Sequence, residues 1–134
     1  MNRPSADDVR REPAGRQLDA WVAEYACGWS EVRGEYPFDQ EPDFRWRGVP
    51  PGWKLPTPIP HYSTDPAASA ELRRHLWASG RYDKIAVEYR TDRVRVFPTR
   101  NSMGPLVDEP VTGDPVAAEM LAWAKAAVLS VLDQ

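Results

Sequence analysis

The sequence predicts an α+β fold, three helices packed on a small antiparallel sheet, and three observations carry that prediction. Asp65-Pro66 and Asp114-Pro115 both have the form of a helix start. The aspartate can accept from first-turn backbone NH groups, and proline at the first helical position loses no hydrogen bond. Between these starts the apolar period becomes two. Ile85, Val87 and Tyr89 alternate with Ala86, Glu88 and Arg90, and Val94 and Val96 alternate with Arg93 and Arg95, with Thr91-Asp92 between the runs. This is the pattern of a β-hairpin with one buried face. Upstream, Leu18, Trp21, Val22 and Tyr25 recur at helical spacing and mark the remaining helix.

Taken in order, residues 1–12 are polar and mixed in charge and read as a flexible tail. A helix is expected over residues 13–27, ended by Gly28 in the left-handed conformation that glycine tolerates. Residues 29–33 suit a short strand. Residues 34–60 hold seven prolines, Pro37, Pro42, Pro50, Pro51, Pro56, Pro58 and Pro60, which exclude a long helix. Tyr36, Phe38, Phe44, Trp46 and Trp53 are interleaved with them, more aromatics than a disordered segment carries. Strand pieces are expected at residues 44–47 and 53–55. The second helix runs from Pro66 to Ser79 with Gly80 as its stop, burying Ala68, Ser69, Leu72 and Leu76. A loop at residues 98–113 leads to a third, alanine-rich helix from Pro115 to the last residues, with Val116, Met120, Trp123, Ala127 and Val131 on its apolar face. Residues 13–134 are expected to form one domain.

The chain has 134 residues, room for one modest core, and a net charge of −3, which argues against a dedicated DNA-coating protein. Cys27 alone excludes an intramolecular disulfide and a multi-cysteine metal site. With no signal peptide and no long apolar run, the expected location is the cytoplasm, with no membrane contact. Six tryptophans are many for this length and point to a rich core or to an aromatic surface for a ligand or partner.

No catalytic constellation stands out. His61, Ser63 and Asp65 are alternating neighbours on one segment and lack the converging geometry of a triad. His75, beside Arg73 and Arg74, reads as a solvated surface residue, and Cys27 as a small packed one. The histidines and carboxylates have no metal-ligand spacing, and no phosphate-loop motif is present. No cofactor is therefore expected. Binding chemistry is better represented. Arg45-Trp46-Arg47 and Trp53-Lys54 combine flat rings with cations, suited to stacking a base and meeting phosphates. Tyr62, Ser63 and Thr64 stand just ahead of the Asp65 cap, where hydroxyls and a positive helix end attract anions. The plainer reading of the same residues is tryptophans anchoring a loop and arginines in solvent. Arg16 and Asp19, at i and i+3, read as an exposed structural ion pair.

Two segments carry a family resemblance. Pro13-Ala14-Gly15-Arg16-Gln17-Leu18-Asp19-Ala20, continued by Val22-Ala23-Glu24 and Gly28-Trp29, resembles the opening of the phage ABA sandwich domain family. Pro60-His61-Tyr62-Ser63-Thr64-Asp65 is similar to that family's segment before its second helix. Gln17 and Trp21 stand where the family has glutamate and leucine, and the insert at 34–60 is longer than its usual connection. The resemblance implies an α/β/α sandwich and a small phage- or prophage-encoded protein working in the host bacterial cytoplasm. Together with the aromatic–cationic residues, it leads to the expectation of a non-catalytic counter-defence factor that sequesters a nucleotide-derived host immune signal. The alternative is a protein-binding inhibitor or phage assembly accessory acting through the Pro-rich loop. The expected partners are thus a nucleotide-like small molecule or a host protein, with a homodimer as a further use of the aromatic surface.

Overall fold

The computed structural model describes residues 3–34, 46–79, 84–99 and 107–132. Within them the fold is mixed α+β, built from four helices and two three-stranded antiparallel sheets. The helices are α1 (Ala6–Arg11), α2 (Arg16–Trp21), α3 (Pro66–Ala78) and α4 (Pro115–Leu132). α2 runs on into a π-helical turn, Val22–Ala26. The first sheet holds β1 (Ser30–Arg33), β2 (Arg47–Val49) and β3 (Thr57–Pro58) in that order. The second holds β4 (Lys84–Tyr89), β5 (Arg93–Thr99) and β6 (Val107–Pro110).

Two expectations need correction. The sheet is divided in two rather than single, because residues of the Pro-rich insert pair with β1: β2 lies antiparallel to β1 and β3 to β2. β2 begins at the last residue of the expected piece 44–47, and β3 begins two residues beyond the piece at 53–55. They are too short to show alternation, and pairing alone defines them. The N-terminal segment is also structured from residue 6. Ser5 caps α1, its Oγ accepting from the Asp8 amide at 3.1 Å while its own amide donates to the Asp8 carboxylate at 3.0 Å. Val9 is fully buried. One apolar residue carries no periodicity, so the composition read as a tail.

The first predicted helix is realised as α2 and its π turn. Leu18 and Val22 are fully buried, and Trp21 and Tyr25 are half-buried. The turn is closed by the Cys27 amide donating to the Val22 carbonyl at 3.0 Å, a five-residue step. Gly28 follows at φ +74°, the left-handed stop expected of it. The hairpin also forms as expected. Val87 pairs with Val96 and Tyr89 with Val94, the Arg90 amide donates to the Arg93 carbonyl, and Thr91-Asp92 make the turn. Val94 and Val96 are buried, whereas Arg93, Arg95, Glu88 and Asp108 form a ladder of ion pairs on the opposite face. Gly80, the expected stop of α3, lies outside the described residues.

α4 is the centre of the core. It touches α1, α2 and its π turn, α3, β5 and β6. Ala122, Ala124, Ala127, Val128 and Leu129 are wholly buried, the small residues letting neighbouring elements approach closely. By length and composition α4 would suffice to cross a membrane, an apolar run that the sequence reading did not register. Most of it is covered by the rest of the fold, as in the core helix of a globular domain. Glu119 joins three elements, accepting from Arg73 of α3 and from the Tyr89 hydroxyl of β4, both at 2.9 Å.

Asp65 caps α3 as predicted, accepting from the Ala67 amide at 3.3 Å, with Pro66 next. Asp114 does the same for α4 through the Val116 amide at 3.0 Å. Asp65→Ala should lower stability by about 1 kcal/mol, the usual worth of an N-cap. Urea unfolding measures it, and an unchanged midpoint would show that the first turn does not need the carboxylate.

Candidate functional site

The site grows from a buried junction. Asp19 on α2 has no exposed surface. Its Oδ1 accepts from the Ser63 amide at 2.8 Å and the Ser63 hydroxyl at 2.7 Å, and its Oδ2 from Arg16 at 2.9 Å. The Ser63 oxygen in turn accepts from the Gly15 amide at 3.0 Å. Arg16 also donates to the Ile59 carbonyl at 2.7 Å. The Arg16–Asp19 pair expected at the surface is therefore an interior clamp. It locks the start of α2 to the segment 59–63 and fixes the chain that enters α3.

With that segment fixed, Tyr62 faces a pocket of about 410 Å³, also lined by Cys27, Trp29, Pro51, Glu71, Leu72 and His75. Cys27 and Trp29 flank the Gly28 stop, so the π turn and its left-handed exit set their positions. Glu71 and His75 are one helical turn apart on α3 and share a face. His75 Nε2 lies 3.0 Å from the Ala26 carbonyl. A carbonyl only accepts, so Nε2 donates in this contact. Burial, then the neighbouring Cys27 thiol to which it is hydrogen-bonded, push the Tyr62 phenol far above its ordinary range. Tyr62 is thus a neutral wall of the pocket at any ordinary pH.

The residues expected to bind ligand are spread through the structure. Tyr62 lines the pocket. Ser63 is buried, with its hydroxyl held in the Asp19 junction. Thr64 is exposed beside it. Trp46 is half-buried and its ring lies directly on Gly34, where a Cβ would collide with the indole. That close contact explains the glycine. Arg47 lies in β2, opposite Arg33 and Pro58. Trp53 and Lys54 are exposed in the turn after Pro51, which the Trp53 amide closes on the Pro50 carbonyl at 3.0 Å. Arg45 lies outside the described residues.

The sequence reading passed over Glu71; His75 is exposed and Cys27 packs against the core, as expected, but that both line one pocket was not foreseen. The i, i+4 spacing of Glu71 and His75 was a usable signal for a shared helix face. Nothing in the sequence brings that face against Trp29 and Pro51. Among the described residues no group of three or more histidine, cysteine or carboxylate side chains is placed to hold a metal ion. In comparisons with family models, curated proteins and solved structures, none matches this chain.

Proposed function

We propose that the protein is a non-catalytic binding protein, a phage or prophage accessory factor that sequesters a nucleotide-derived immune signal in the host cytoplasm. The observation that carries the binding reading is the pocket itself. Its volume of about 410 Å³ falls in the range of small-molecule sites, and it joins flat and apolar walls to a few polar groups. The non-catalytic part of the reading rests on the sequence, in which no catalytic constellation stands out. The counter-defence role and the α/β/α layering rest on the resemblance of the Gly15–Asp19 and Pro60–Asp65 segments to the phage ABA sandwich family. The Asp19 junction supports that reading physically, since it is built from those two segments.

The base would lie against Trp29 and Pro51, which line the pocket, with the phosphates outside it. Ser63 contributes nothing to phosphate binding in this arrangement, because its hydroxyl is already donated. Calorimetry against a panel of linear and cyclic nucleotides should give saturable heat with at least one. Trp29→Ala should weaken that binding by more than about 1 kcal/mol with the fold intact. No heat from any nucleotide would refute the reading. A second reading, docking of a host protein, is favoured by Trp53 and Leu55, which are 64% and 73% exposed on one short loop. Under it, Trp53→Ala abolishes protein capture, and nucleotides give no heat.

A further inference from the structure

We infer that the pocket recognises the amino-bearing edge of a planar nitrogen heterocycle, an inference that rests on the ligand-binding reading above. Among the described residues no lysine or arginine lines the pocket; the polar residues that do are Cys27, Tyr62, Glu71 and His75. One of these is an acceptor left open: among the described residues Glu71 has no hydrogen-bond or ion-pair partner. His75 Nε2 is engaged with the Ala26 carbonyl. The Tyr62 hydroxyl is engaged with Cys27. The other described lining residues are flat or apolar: Trp29, Pro51 and Leu72.

Among the described residues a phosphate placed here would meet a carboxylate and no lysine or arginine, so the anionic end of a nucleotide is turned outward. A ring that enters must bring a donor to face Glu71. An exocyclic amine does this, and an amine donating to a carboxylate makes a charge-assisted bond, stronger than a neutral one. A ring without the amine forgoes that bond, and Glu71, which is exposed, stays hydrated instead.

The test is calorimetry on the full chain with adenosine, guanosine and purine riboside 5′-monophosphates, the last lacking any exocyclic amine. The wild type and Glu71→Ala are compared. Glu71 is exposed and Ala favours helix, so the variant should fold, and an unchanged unfolding midpoint confirms it. At least one amino-bearing nucleotide should bind about tenfold or more tighter than purine riboside monophosphate. In Glu71→Ala that ratio should fall close to one. Equal binding of all three to the wild type, or a preference that survives Glu71→Ala, overturns this inference and leaves the pocket reading standing. No binding of any of the three overturns this inference, and only silence across the whole panel of linear and cyclic nucleotides overturns the pocket reading as well.

Discussion

Asp19→Ala is expected to cost about 3–5 kcal/mol of folding stability, the usual penalty for removing one partner of a buried ion pair. For a domain of ordinary marginal stability that is enough to unfold much of the population. Three donors converge on this carboxylate: the amide and hydroxyl of Ser63 and the guanidinium of Arg16. Without it the Ser63 amide is buried with no acceptor, and the half-buried Arg16 keeps only carbonyls as partners. Asp19→Asn keeps the shape and one acceptor oxygen and should lose less. Ser63→Ala removes a hydroxyl but leaves Asp19 two of its donors, so about 1–2 kcal/mol is expected. Urea unfolding of the three variants gives the order directly. If Asp19→Ala proved no worse than Ser63→Ala, the carboxylate would not be the keystone of the junction.

That junction also shows where sequence reasoning reached and where it stopped. Local signals were legible because their physics is local. Asp65-Pro66 and Asp114-Pro115 cap helices through NH groups two residues on. Gly28 ends a helix by its own φ. Alternation from Ile85 to Val96 specified a hairpin because the inward side chains are consecutive on each strand. The pairing of Arg16 with Asp19 was also legible from spacing, but its burial was not. Burial comes from Ser63, 44 residues away, and nothing near Asp19 announces that partner. β2 and β3, three and two residues long, exist only through their pairing with β1 and each other. The pocket is the extreme case. Cys27 and Trp29, Pro51, Tyr62, and the Glu71–His75 face come from four separate stretches of chain. A proline-rich loop with tryptophans looked like the binding element because its composition is unusual. The residues that enclose space are ordinary in composition and become a site only by packing.

Lys125→Met is expected to cost about 3 kcal/mol or more, for a reason as hidden in the sequence as Asp19. Lys125 sits in the middle of the apolar helix α4, yet its side chain is only 5% exposed and its ammonium lies 3.0 Å from Glu109 of β6, itself 13% exposed. The same ammonium donates to the Arg10 carbonyl at the end of α1 at 2.6 Å. One charge therefore joins the N-terminal helix, the last strand and the central helix. Methionine fills a similar volume, so the loss is electrostatic rather than a cavity: Glu109 is left buried without a counter-charge and Arg10 without a donor. The double variant Lys125→Met with Glu109→Met removes both charges. It should recover most of the stability, since buried ion pairs replaced whole by apolar side chains are often neutral. What it cannot restore is the bond to α1, which should show faster amide exchange around Val9 in both variants. A double variant no more stable than the single one would place the cost in packing instead of in the stranded carboxylate.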